Sequence, residues 1–280
     1  MISLKLQKAV ELRKRGQSYT EISNKLMLSK RKVASICKNI NFSKSGLKRY
    51  KSNVKGILKD IKKQNKELTI RKTRIIGHVL FDGALYKSGY HHVATYINSS
   101  YALINQFIDD MKNVYGLFPS SLEKEMGKQV PYYRIKYSSK RLYHDLLKYN
   151  WSYSTSTKGL KTPELIVEGS KALKLEFLRA FWEDEGSVSI KNRNKISGDL
   201  KSLEILQEIR EMLKSLEIDT NISSYKKKGE IYYKLYLKIN KKNIRTFKKL
   251  KLFDKGIAAK GENAGLKKSE ILSRLEATIK

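Results

Sequence analysis

Apolar and polar positions in this chain switch between a helical and a strand period, and the switches recur. In residues 1–45, Leu6, Ala9 and Val10 form one helical face that Gly16 ends. Ser18-Tyr19-Thr20-Glu21 is a capping-box pattern opening a second helix through Ile22 and Leu26. Met27-Leu28 makes the turn, and Ser29 is the expected N-cap of a third helix whose Val33, Ile36, Cys37 and Ile40 face a core. Further on, Ile75–Gly83 and Leu178–Gly186 are apolar helix-like runs. Each has a small residue third (Gly77, Ala180) and ends in an acid followed by glycine.

The elements after these runs also match. The first is followed by a hairpin (84–90, 92–97), a helix through Leu103, Phe107, Ile108, Met111 and Val114, an alternating strand (132–137) and a short helix (139–148). The second is followed by a strand (187–192), a helix through Leu203, Ile205, Leu206, Ile209 and Leu213, a strand (231–239) and a helix (241–250). The same order of periods 3.6 and 2 predicts an α+β protein with two copies of one αββαββα unit. A single irregular α+β domain with a chance echo is the alternative. The boundaries expected are 1–45 for the helical module, 46–72 for a linker, 73–165 for repeat one and 166–280 for repeat two.

The acids ending the two runs, Asp82 and Glu185, sit at the negative end of a helix dipole, where a carboxylate is destabilising. Two at matching positions suggest a site that wants negative charge. The glycines after them read as left-handed caps. Both acids could instead merely cap their repeats.

Composition narrows the partners. With 59 Lys+Arg against 27 Asp+Glu among 280 residues, the net charge is +32, and such a surface field most often meets nucleic-acid phosphate. No apolar run approaches a membrane span, and no signal-peptide core opens the chain, so an intracellular, cytoplasmic protein is expected, nucleoid-associated if prokaryotic. The lone Cys37 excludes an internal disulfide and a cysteine zinc site, leaving it as a small buried hydrophobe.

The amino-terminal helices resemble helix-turn-helix DNA-binding domains. That resemblance implies a third helix in the major groove, with Lys30, Arg31, Lys32, Ser35 and Lys38 toward phosphates and base edges. A three-helix protein-binding bundle is the alternative. Residues 44–74 carry twelve basic residues, among them Arg71, Lys72 and Arg74, against Asp60 and Glu67. They read as a linker following a phosphate backbone, or as one that merely solubilises.

The acid-ending helices and repeat order resemble the single-chain, two-repeat LAGLIDADG homing endonucleases over residues 73–275. The resemblance implies a saddle in which the two motif helices pack at a pseudo-twofold axis through Gly77 and Ala180. Asp82 and Glu185 then lie side by side and hold Mg²⁺ (or Mn²⁺) against the scissile phosphates of double-stranded DNA. Hydrolysis of a phosphodiester suits a hard cation held by carboxylate and water oxygens. The departures from the consensus are His78, Val79 and Leu80 in the first motif, and Arg179, Trp182 and Glu183 in the second. Asp184, about 100° around the helix from Glu185, is expected to point away. The family's supporting basic groups map onto Lys158 or Lys161 and onto Lys255 or Lys260.

Strand alternation gives the binding face. Tyr132, Arg134 and Lys136 in repeat one correspond to Tyr232, Lys234, Tyr236 and Lys238 in repeat two, with Ser187, Ser189 and Lys191 on the strand after the second motif and Arg193 just beyond it. The reading is a monomeric, sequence-specific duplex-DNA endonuclease. A catalytically inactive transcription regulator of the same fold and an RNA-binding intron maturase are the competing readings.

Overall fold

Apolar side chains of the first forty residues converge on one small core. The computed structural model describes residues 2–38, 40–48, 67–190 and 194–279. The chain divides into two compact units, Met1–Gln64 and Asn65–Lys280.

In the first unit, α1 (Ile2–Lys14), α2 (Tyr19–Leu26) and α3 (Lys30–Cys37) surround Ala9, Leu12, Ile22, Leu26, Val33 and Cys37. The capping box forms. Ser18 Oγ accepts from the Glu21 N–H at 3.2 Å, while the Glu21 carboxylate accepts from the Ser18 N–H at 2.6 Å. Met27 closes α2 in the left-handed region (φ 52°), and Ser29 caps α3. Arg49, Lys51, Lys55, Lys59, Lys62, Lys63 and Lys66 of the expected basic linker lie outside the described residues.

The second unit holds two copies of one motif. In the first copy, α4 (Ile70–Phe81), β1 (Gly83–Ser88) and β2 (His91–Asn98) precede α5 (Tyr101–Tyr115), β3 (Ser121–Met126), β4 (Pro131–Ser138) and α6 (Lys140–Leu146). A short α7 (Glu164–Val167) leads into the second copy. This contains α8 (Lys171–Glu185), β5 (Gly186–Ser189), β6 (Lys195–Leu200), α9 (Leu203–Lys214), β7 (Thr220–Lys227), β8 (Glu230–Leu237) and α10 (Lys241–Lys249). The final helix α11 (Lys268–Ala277) packs on β5 and α10. Both sheets are antiparallel, in orders β1-β2-β4-β3 and β5-β6-β8-β7, giving the saddle-like α+β architecture with helices before it.

Strands β3, β6 and β7 are absent from the sequence pattern for identifiable reasons. Strand β3 (SLEKEM) exposes Leu122 and β7 (TNISSYKK) is largely polar, while β6 is broken by Gly198. That glycine is required, since a Cβ there would meet Phe181 at 2.6 Å.

The motif helices α4 and α8 pack along their length, and a Cβ on Gly77 would lie 2.6 Å from that of Ala180. Phe81 seals the contact against Phe177 and Phe181, with ring centroids at 5.2 and 5.4 Å. Two expectations are corrected here. Gly83 and Gly186 are not left-handed caps: Gly186 is extended (φ −73°, ψ 143°), and Gly83 is not among the positive-φ glycines. Each is small because backbone crowds it; a Cβ would meet the Thr95 carbonyl at 2.4 Å or the Trp182 carbonyl at 2.2 Å. The second correction concerns Arg71, Lys72 and Arg74, which belong to α4 rather than to a phosphate-following linker. Lys72 is fully buried on Asp145 (2.6 Å), Arg71 reaches Asp110, and Arg74 joins Asp110 (2.6 Å) to Glu176 of the second copy (2.8 Å). A cation beside a buried acid is held there by the desolvation that the acid alone would suffer.

Candidate active site and nucleic-acid interface

Because α4 and α8 run side by side, their carboxyl ends arrive together. A cleft of about 630 Å³ opens there, lined by Asp82, Asn98, Tyr132, Asp184, Lys260 and Lys268 among others. Glu185 adjoins it through Gly186. Burial, followed by the charge of Asp184, pushes the Asp82 carboxyl up to about 7, against the pull of Lys268, His78 and Asn98. Burial and the charges of Asp82, Asp184 and Asp199 hold Glu185 well above the usual carboxylate range. Each acid therefore resists ionising in the presence of the others. A proton or a cation relieves that resistance, so this oxygen-rich donor set fits a hard divalent ion. Among the described residues no three acid, imidazole or thiol groups enclose a metal by themselves, so an ion here would draw further oxygens from water or substrate.

Asp184 does not point away. Its side chain is fully buried against repeat one, where His78 Nδ1 (2.7 Å) and Tyr96 Oη (2.7 Å) both bond to it. Asn98 Nδ2 donates both to Asp184 (3.1 Å) and to Asp82 (3.2 Å), so one amide couples the acids of the two copies. Burial alone would lower the His78 pKa, but the Asp184 carboxylate more than reverses this and leaves it raised. A buried acid surrounded by three donors is more stable inward than outward, and this tertiary satisfaction overrides the angular expectation.

Two further residues complete the centre. Lys268, at the start of α11, is buried, and its Nζ donates to the Glu183 (2.5 Å) and Trp182 (3.3 Å) carbonyls at the end of α8. Burial lowers its pKa, while Glu183, Asp184, Asp82 and Glu185 oppose that shift. The Glu183 side chain turns the other way and accepts the N–H groups of Asp254, Lys255 and Gly256 at 2.6–2.8 Å. It thereby pins the loop that continues to Lys260. His78, Asn98, Asp184 and Lys268 were missed from sequence. Only His78 and Asp184, polar residues inside apolar motif helices, left a local signal.

Of the expected basic groups, Lys260 lines the cleft. Lys255 is engaged by its backbone with Glu183 and by its Nζ with Asp254 (2.8 Å). Lys158 and Lys161 are exposed between the repeats, and Lys161 offers its carbonyl to Asn150.

The register places Tyr132, Arg134 and Lys136 of β4 on one face of the first sheet, opposite Glu125, Glu123 and Ser121 of β3. In the second sheet Tyr232, Lys234 and Tyr236 of β8 lie opposite Tyr225, Ser223 and Asn221 of β7. There Lys195 sits 4.8 Å from the Tyr236 ring and Lys234 4.9 Å from Tyr225, while Tyr225 stacks on Tyr232. Ser187 and Ser189 are exposed on β5, and Lys238 is exposed just beyond β8. Lys191 and Arg193 lie outside the described residues. In the amino-terminal unit Lys30, Arg31, Lys32, Ser35 and Lys38 are all exposed on or just after α3. Among the described residues, no helix is long and apolar enough to cross a membrane.

Two pseudo-symmetric αββαββα copies, meeting through small residues with acids at the helix ends, define a LAGLIDADG-type fold. The LAGLIDADG-like domain family model matches residues 172–251, within the second copy, and over that stretch the chain is similar to LAGLIDADG proteins. An uncharacterized protein of Methanocaldococcus jannaschii is 27% identical over 226 residues, covering 78% of this chain and 72% of that protein. The homing endonuclease I-ApeI of Aeropyrum pernix is 28% identical over 142 residues, covering 49% of this chain and 59% of the relative. The structure of I-DmoI in complex with DNA and Mn superposes with a TM-score of 0.49 at 18% identity, covering 65% of this chain and 96% of that one.

Proposed function

We propose that this protein is a sequence-specific endonuclease of double-stranded DNA that hydrolyses one phosphodiester in each strand and leaves a short 3′ overhang. The observation that carries the reading is the pair of half-buried, mutually repelling acids, Asp82 and Glu185, at the meeting point of two basic, tyrosine-bearing sheets. Kinship with a homing endonuclease supports it.

Asp82 and Glu185 would hold Mg²⁺ or Mn²⁺, and the bound ion would supply a nucleophile at neutral pH and charge for the leaving oxygen. The chain's own residues prepare the site. Asn98 orients the Asp82 carboxyl, Asp184 fixes Asn98, and Lys268 brings an amine donor among the acids at the end of α8. Lys260 stands at the cleft wall, within the segment that Glu183 secures. The sheet faces would follow the major groove, and the amino-terminal helices would add a helix-turn-helix contact through α3.

The decisive experiment incubates a randomised duplex library with Mg²⁺ or Mn²⁺ and sequences the cut ends, alongside Asp82→Asn and Glu185→Gln. The wild type should cut a defined site, and each variant should lose at least a thousandfold in rate with duplex affinity nearly intact. Unimpaired cutting by both variants would remove the catalytic assignment. Tight duplex binding with no cutting by the wild type would leave the regulator, and tighter binding to single-stranded RNA would leave the maturase.

A further inference from the structure

The first sheet carries two acids in the middle of a surface that should repel them. On the face that leads to the cleft, Glu125 accepts from Arg134 Nη1 (3.0 Å) and Tyr132 Oη, and Glu123 accepts from Lys136 Nζ (3.2 Å). The Lys136 ammonium holds the Glu123 carboxyl below its ordinary range, so this acid is ionised at neutral pH. These side chains are all about one-third to two-fifths exposed, so the pairs contribute little to folding. The equivalent positions of the second sheet hold Ser223 and Tyr225, so nothing in the shared backbone demands a carboxylate.

Stability therefore does not explain Glu123 and Glu125, and neither does phosphate binding, which they oppose. A carboxylate facing the major groove has few partners there, and the amino group of cytosine is the one that suits it. Arg134, anchored through Nη1 on Glu125, carries the guanidinium fork that suits the O6 and N7 of guanine. Resting on the duplex-binding reading above, we infer that Glu123, Glu125 and Arg134 are specificity-determining residues that select G·C pairs in the half-site under the first sheet. The second sheet has serine, asparagine, tyrosine and lysine in the same places and a single acid, Asp199, beside Lys234 (3.6 Å) and Tyr225 (2.8 Å); it supplies affinity with looser selection.

The test is selection of bound duplexes from a randomised library by the full chain, compared with the E123Q/E125Q double variant and with Arg134→Ala. The wild type should enrich G·C pairs over a short block in one half-site. In the double variant that preference should fall about tenfold at each contacted pair. Overall affinity should rise, because two phosphate-repelling charges are gone and Arg134 and Lys136 are released. Arg134→Ala should lose the guanine preference while the second half-site stays unchanged. A double variant that is folded by its thermal transition and selects the same sequences as the wild type overturns the inference. So does an A·T-rich or unselective first half-site in the wild type. A wild type that enriches no duplex at all refutes the duplex-binding reading itself, and this inference falls with it.

Discussion

The two repeats share one backbone and differ in what fills it. Where α4 carries His78 against Tyr96 of β2, with ring centroids at 4.7 Å, α8 carries Phe181 over Gly198 of β6. A small polar ring over a large one has become a large ring over none, so volume is conserved while chemistry is not. The polar version is the one that binds Asp184 and, through Asn98, steers Asp82. In the second copy the position of Asn98 is taken by Leu200, because Gly83 pairs with Tyr96 as Gly186 pairs with Gly198. The sheets diverge similarly: two acids flank the cations of the first, while in the second one acid, Asp199, and the Tyr225 and Tyr236 rings flank the lysines. Duplication thus constrains spacing and the terminal acids, and leaves the surrounding charge free to specialise.

The largest test of that asymmetry is at the base of the paired helices. Arg74 and Phe177 occupy equivalent positions, yet only Arg74 neutralises two acids, Asp110 and Glu176. Arg74→Met should destabilise the second unit by about 3–5 kcal/mol, lowering its melting temperature by about 10 °C. Phe177→Met should be milder, by about 1 kcal/mol. Equal losses in calorimetry would mean that the repeats meet symmetrically after all.

Next comes the closest approach. Gly77→Ala puts a methyl group 2.6 Å from that of Ala180 and should cost about 1–3 kcal/mol. The swap Gly77→Ala with Ala180→Gly should recover more than half of this, measured by denaturant unfolding. No recovery would show that the two helices are not interchangeable even at their contact.

The acids give a pH window. Asp82 is raised from 3.8 to about 7 in the folded chain, so as pH rises the unfolded chain ionises first. Stability present below pH 4 should therefore be lost progressively as pH climbs through about 7. Mg²⁺ or Mn²⁺ should stabilise the protein more at pH 8 than at pH 5.5. Asp82→Asn should flatten the metal-free profile in thermal melts. A pH-independent melting temperature with the acids intact would contradict the raised Asp82 carboxyl.

The smallest effect separates the sheets. Lys234→Gln should make the slope of log K against log[salt] shallower by about one unit. Arg134→Gln should change it less, because Glu125 (3.0 Å) and Glu123 (3.9 Å) both flank that guanidinium, whereas Lys234 faces the single acid Asp199 at 3.6 Å. Equal changes would mean that the acid masking is lost on DNA.

The helices, the repeat and the two acids were legible because they rest on local periodicity and on residue identity. The polar strands β3 and β7 were not, because each is stabilised by its neighbour rather than by an apolar stripe of its own. The inward turn of Asp184 depends on three donors from elsewhere in the chain, and Lys268 lies more than eighty residues beyond the acid helix it serves. Arg71, Lys72 and Arg74 looked like linker charge because their acidic partners lie far away in sequence. Pairing of that kind is written in the fold alone.

The ammonium of Lys268 also sets an order of events. Both acid-bearing helices leave the ribosome well before α11, and until that helix docks, the end of α8 lacks the donor for its last carbonyls. The acids beside it also lack the buried amine that stands among them. A chain made only as far as α8 thus carries the acids without the amine that α11 brings beside them, and the environment of the acids is completed from outside both repeats' sheets.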